Sequence, residues 1–192
     1  MSKRDFKKEQ ILLAGMEVMK RQGYNGTSVK DIVDAASVPK GSFYNYFESK
    51  ETFALEAVEY TAEEVLEAAV AVLTDTEVAP LVRVRTYFEK GIGEACANEF
   101  RDGCFLGNMC QEMSDSSDAI RQLVHRKLKK VTGLLAQTLR DAQARGEVSS
   151  SLDAEQAAEF LYNAWEGAIM RAKASKCGGP LNAFIGMLDV IF

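Results

Sequence analysis

The chain has 192 residues, 47% of them hydrophobic and 27% charged, with three prolines and a formal net charge of −5. This apolar fraction excludes a disordered chain, and the length suits one ordinary domain or a small module joined to a larger one. The negative total argues against a phosphate partner only if the charge is spread evenly. It is not. Residues 1–50 hold nine Lys/Arg and six Asp/Glu, a net of +3, and the other 142 residues hold 14 basic and 22 acidic groups, a net of −8. A basic head on an acidic body is expected.

The start, Met1-Ser2-Lys3-Arg4-Asp5, runs straight into an amphipathic pattern, so no export signal is expected. No apolar run approaches the roughly 20 residues that span a bilayer. The four cysteines, Cys96, Cys104, Cys110 and Cys177, form no CxxC pair, and His125 is the only histidine. A metal site, a cofactor and a membrane partner are therefore not expected, and the protein is expected in the cytoplasm with reduced thiols.

Helical periodicity runs through the whole chain. Ile11, Leu12, Ala14, Met16 and Met19 mark the buried face of a first helix, which Gly23 stops. Thr27 and Ser28 are candidate caps of a short second helix with Val29, Ile32 and Ala36 on one face. Ser37-Val38-Pro39 breaks that helix, and Pro39 suits the start of a third, Lys40 to Phe47. Ser49 caps a long fourth helix that runs to about Leu73. Pro80 opens a helix through Cys96, followed by a loop over Asn98–Gly103 and a short helix from Cys104 to Met113. The cap-rich run Ser114–Asp118 starts a long helix that ends at Gly146, and Asp153 caps another through Ala174. After the Cys177-Gly178-Gly179-Pro180 break, a last helix runs to Phe192. No segment alternates with a period of two, so the fold expected is all-α with about nine helices.

The second helix, tight turn and third helix have the dimensions of a helix-turn-helix, whose last helix fills a major groove about 12 Å wide. Phe43 and Phe47, four apart, then face inward toward Ile32 and Met19. Lys40, Ser42, Tyr44, Asn45 and Tyr46 point outward, Lys50 adds charge, and Gly41 lets the backbone approach a duplex. The other reading of the same spacing makes Phe43, Tyr44, Tyr46 and Phe47 core aromatics of a bundle.

The stretch from Gly23-Tyr24 through Thr27-Ser28-Val29, Asp31-Ile32, Ala36-Ser37-Val38-Pro39-Lys40-Gly41-Ser42-Phe43-Tyr44-Asn45-Tyr46-Phe47 to Glu48-Ser49-Lys50-Glu51 resembles the TetR/AcrR family of repressors in order and spacing, over about residues 8–55. The resemblance implies an all-helical homodimer. Residues 1–48 would bind palindromic, double-stranded operator DNA, and residues 49–192 would bind a small-molecule effector and dimerise through the last two helices, about Ala154–Ala174 and Leu181–Phe192. It implies that Thr27 and Ser28 cap the second helix against a phosphate and that Tyr44, Tyr46 and Lys50 contact the DNA backbone. Lys40, Ser42 and Asn45 would reach bases or the groove. Two positions depart from the family pattern: Ser37 stands where a turn glycine is usual, and Val33 where alanine is usual.

Farther on, Gly103-Cys104-Phe105-Leu106-Gly107-Asn108-Met109-Cys110-Gln111-Glu112 looks like the start of the sixth helix in the N-ethylmaleimide-responsive and acrylate-responsive subset. A thiol at a helix start feels the positive end of the dipole, with Arg101 reinforcing and Asp102 opposing. A reactive Cys104 and a structural, small buried Cys104 are both consistent with this. Cys110, Cys96 and Cys177 are expected to be structural, and His125 to lie on a solvated basic face. Large or polar groups on apolar stretches, Tyr87, Cys104, Asn108, Tyr162, Trp165 and Glu166, are candidates for an effector pocket; the aromatics equally suit core or dimer packing. An enzyme with Cys104 as nucleophile lacks a histidine partner in the sequence, so a ligand-responsive repressor without enzymatic activity is the expected function. A helical interaction module is the remaining alternative.

Overall fold

A computed structural model describes residues 3–192; Met1 and Ser2 of the expected head lie outside the described residues. The described residues form nine helices and no strand: α1 (Lys3–Gly26), α2 (Val29–Ala35), α3 (Lys40–Phe43), α4 (Lys50–Leu73), α5 (Pro80–Ala97), α6 (Phe105–Met113), α7 (Asp118–Ala144), α8 (Ala154–Ser175) and α9 (Gly179–Ile191). The all-α expectation holds, and most ends fall where local chemistry puts them. Ser28 accepts from the Asp31 backbone N–H as the cap of α2, and Asp31 returns the bond to Ser28. Ser49 Oγ accepts from Thr52 N at 3.0 Å, Ser117 Oγ from Ile120 N at 3.2 Å, and Asp153 Oδ1 from Gln156 N at 3.0 Å.

Three ends differ from expectation. Gly23 interrupts α1 with φ +75° and ψ 171°, an extended backbone that only glycine tolerates, and one more helical turn follows to Gly26. The α3 segment tightens after Phe43, because Asn45 and Tyr46 donate to carbonyls three residues back, Ser42 and Phe43; only Phe47 returns to Phe43 over four. Helix α6 begins at Phe105, so Cys104 precedes its first residue.

The chain divides into two compact units, Met1–Glu63 with Phe105–His125, and Glu64–Cys104 with Arg126–Phe192. In the first, Ile11, Met19, Ile32, Phe43, Phe47 and Phe53 are fully buried, and the rings of Phe43, Phe47 and Phe53 lie 5.1–5.9 Å apart. In the second, Phe88, Trp165 and Phe184 form a mutual cluster with centroids 4.7–5.5 Å apart, around which Leu73, Val84, Leu135, Leu139 and Leu181 are buried. Trp165 packs against α5 where Gly91 has no side chain; a Cβ there would sit 2.6 Å from the indole. Buried Arg83 closes this core by donating to the Leu73 carbonyl at 2.7 Å and to Asp141 at 3.2 Å.

Candidate DNA-binding face and effector site

The aromatic face of the short α3 segment decides between its two readings. Phe43 and Phe47 are buried, whereas Lys40, Gly41, Asn45 and Tyr44 are exposed, Tyr44 by 58%. Ser42 and Tyr46 are half-buried. A Cβ on Gly41 would meet nothing within 4 Å, so no contact inside the chain calls for glycine there. An open cationic and phenolic surface on a four-residue helix, backed by three packed phenylalanines, is a rigid projection suited to a groove.

The segment leading into this motif is held by opposite charges. Lys50 Nζ donates to the carbonyls of Tyr24 and Thr27, both at 3.0 Å, and lies 4.1 Å from the Tyr24 ring centroid. Glu112 accepts the backbone N–H groups of Tyr24 at 3.2 Å and Asn25 at 2.8 Å. The groups left unpaired where α1 breaks at Gly23 are thus satisfied by an ammonium and a carboxylate.

In the second unit, three elements bring a thiol, a carboxyl and two phenols within electrostatic reach: Tyr87 from α5, Cys104 from the residue before α6, and Tyr162 with Glu166 one turn apart on α8. The Cys104 thiol donates to the Glu166 carboxylate. Burial pushes the Glu166 carboxyl above its ordinary range, and that hydrogen bond partly offsets the rise. Glu166 Oε1 is buried with no hydrogen-bond partner among the described residues. Burial above all, with Cys104 and Glu166 adding to it, raises the phenols of Tyr87 and Tyr162, so both remain O–H donors through the physiological range. Among the described residues, no group of three or more His, Cys, Asp or Glu is arranged to hold a metal.

Residues 80–188 match the family described as tetracyclin repressor-like, C-terminal domain, and residues 11–57 match bacterial regulatory proteins, tetR family. The chain belongs to the TetR family. The transcriptional regulator AcuR of Cereibacter sphaeroides is 36% identical over 92% of this chain and 80% of its own length. The HTH-type transcriptional repressor DhaR of Mycobacterium sp. is 33% identical over 96% of this chain and 90% of its own. A regulatory protein TetR from Rhodobacter sphaeroides superposes with a TM-score of 0.91 at 35% identity, covering 96% of this chain and 97% of that one. The reduced form of Escherichia coli NemR superposes with a TM-score of 0.85 at 27% identity, covering 96% of each chain. This TetR-family chain is accordingly a DNA-binding transcriptional regulator of the repressor type.

Several residues of this TetR-family protein sit otherwise than the sequence suggests. Ser28 alone caps α2; Thr27 is buried, and its hydroxyl donates to the Gly23 carbonyl at 2.7 Å. Lys50 uses its ammonium first on the chain's own carbonyls. Trp165 packs in the Phe88–Phe184 core. Asn108 lies on α6 in the other compact unit from Cys104. Cys96, Cys110 and Cys177, expected to be structural, are all exposed, and Cys104 is the half-buried one. Hydrogen bonding with Ser175 Oγ and then with the Gly179 backbone holds the exposed Cys177 thiol below its usual range. Arg101, expected to act on Cys104, pairs with Glu99, and His125 is exposed as expected. Glu112 is the residue that sequence reasoning passed over: its partners are 87 and 88 residues away, and no local pattern signals them.

Helices α8 and α9 leave an apolar groove of about 380 Å³ open along their outer faces, lined by Phe160, Ala164, Phe184, Met187 and Ile191 among others. Phe160 is 59% exposed and Met187 50%. Among the described residues, no helix is long and apolar enough to cross a membrane.

Proposed function

We propose that the protein represses transcription as a homodimer on a palindromic operator in the cytoplasm and is released by a small-molecule effector, with Cys104 as the thiol that senses an electrophile. Residues 1–48 serve as the DNA-binding domain, and residues 49–192 bind the effector and dimerise. The observation that carries the DNA reading is the split of the α3 segment, with Phe43 and Phe47 buried and Lys40, Gly41, Tyr44 and Asn45 exposed. Tyr44, Tyr46, Ser28 and the remaining donor capacity of Lys50 serve the phosphates; Lys40, Ser42 and Asn45 serve the groove; Thr27 supports the turn from inside.

The open apolar groove of α8 and α9 supports dimerisation, because large exposed side chains along two adjacent helices suit a self-complementary interface. The Cys104–Glu166 pair with Tyr87 and Tyr162 supports the sensing reading, as does similarity to NemR, whose structure is that of a reduced form. Effector binding shifts the population toward a spacing of the paired heads that misses grooves about 34 Å apart.

Selection of bound duplexes from a random pool, with and without N-ethylmaleimide, tests this reading. A palindromic consensus that is lost with the electrophile is the expected result. Operator release that is unchanged in Cys104→Ser would remove the thiol from the mechanism and leave a reversible ligand.

A further inference from the structure

We propose that Arg4 grips the DNA backbone beside the far end of α3, so that the recognition segment is flanked by cations from two helices, Lys40 before it and Arg4 after it. The inference rests on the reading of residues 1–48 as the DNA-binding domain, and it adds a contact from outside the helix-turn-helix. Its basis is the placement of α1. The buried stripe of Ile11, Leu12, Met16 and Met19 continues toward the start of this helix as Lys8 and then Arg4, one turn apart. Lys8 Nζ lies 5.3 Å from the Phe47 ring centroid and 2.6 Å from Glu56, and the exposed Arg4 donates through Nη2 to the Asn45 carbonyl at 3.4 Å. A helix face that is apolar over the core thus turns cationic where it overhangs the end of α3.

The charges of the head single out this residue. Lys8 pairs with Glu56, Lys20 with Glu17 and Lys30 with Asp34. Lys50, half-buried, spends two of its three donors on the carbonyls of Tyr24 and Thr27. Arg21 lies toward the opposite end of α1 and donates to the Glu17 carbonyl at 3.1 Å. Arg4 is bonded to a carbonyl, which orients the guanidinium without cancelling its charge, and 3.4 Å is long for such a bond. A guanidinium carries five N–H donors in a planar fork that matches a phosphate. Helix width decides between phosphate and base. Arg4 belongs to the first turn of α1, and a helix about 10–12 Å across does not enter a minor groove about 6 Å wide. With α3 seated in the major groove, the start of α1 meets the sugar–phosphate rim.

The test follows the full-length protein by fluorescence anisotropy on the duplex selected from the random pool, between about 50 and about 200 mM salt. Arg4→Gln can still donate to the Asn45 carbonyl but carries no charge. It is expected to weaken binding to every sequence alike and to lower the slope of log affinity against log salt by about 1 for each head, about 2 for a dimer. Arg4→Lys keeps the charge and most of the slope. Neutral methylphosphonates in place of the flanking phosphates are expected to abolish the difference between wild type and Arg4→Gln; a difference that survives them overturns the phosphate contact. An unchanged slope in Arg4→Gln, on a duplex that the wild type binds with steep salt dependence, overturns the role of Arg4 alone. So does an Arg4 effect that varies with the A·T or G·C content of the flanks, the mark of a minor-groove contact. A wild type that shows no salt-dependent duplex binding overturns the DNA-binding reading and this inference with it.

Discussion

Glu112 accepts the backbone N–H of Asn25 at 2.8 Å across 87 residues of sequence, with its second oxygen on Tyr24. A carboxylate from α6 thereby fixes the point at which the chain leaves α1 for the helix-turn-helix. An amide keeps one acceptor and turns a donor toward a donor. Glu112→Gln is expected to lower stability by about 1–2 kcal/mol, within the range for hydrogen bonds to charged groups. Urea denaturation measures it, and an unchanged midpoint would show the contact to be idle.

Ser37 provides a second test. It adopts φ +54° at the end of α2, where the Val38 N–H returns to the Val33 carbonyl at 3.0 Å in a glycine-type helix stop. The left-handed conformation costs a residue with a Cβ about 1–2 kcal/mol, and glycine gives part of that back through unfolded-chain entropy. Ser37→Gly should therefore stabilise by about 0.5 kcal/mol, and Ser37→Val should destabilise by about 1–2 kcal/mol. Thermal melts of the pair read both signs.

At Gly41 stability and binding separate. A methyl group there meets nothing in the chain, so Gly41→Ala should hold or raise stability by up to about 1 kcal/mol. Against a duplex the same methyl occupies the approaching surface, and affinity should fall about tenfold, or about 1.4 kcal/mol. Fluorescence anisotropy on the selected operator measures this. Tyr44→Ala should weaken all sequences alike.

The buried carboxyl gives a pH dependence. Burial raises the Glu166 value above 4.5, so the folded state favours the neutral acid. The stability tied to that form is complete below the ordinary carboxylate range and is lost as pH rises through the raised value. Glu166→Gln should match the wild type near pH 4 and exceed it increasingly toward neutrality, levelling off above the folded value. Melting temperatures of both proteins across this window check the sign; a constant gap would contradict it.

The exposed groove predicts a change in mass. In a two-fold interface each substitution counts twice, so Phe160→Lys or Met187→Lys should convert a dimer to a monomer at about micromolar concentration. Sedimentation equilibrium distinguishes them. A dimer that survives both changes places the interface elsewhere.

Of this molecule, the sequence by itself determined whatever depends on neighbours a turn away. Ser28, Ser49 and Asp153 announce helix starts because a side chain reaches three residues along the chain, Pro80 marks a first turn because its φ is fixed, and Phe43 with Phe47 read as one buried face because four residues complete a turn. The resemblance carried by residues 23–51 has the same local origin. Tertiary structure decided what depends on which helix lies beside which. It alone paired Cys104 with Glu166, committed Lys50 and Glu112 to the Tyr24 segment, sent Trp165 into the core and left Cys96, Cys110 and Cys177 exposed. Burial, and with it the direction in which a carboxyl or phenol shifts, is set by atoms remote in sequence, and no periodicity along the chain encodes it.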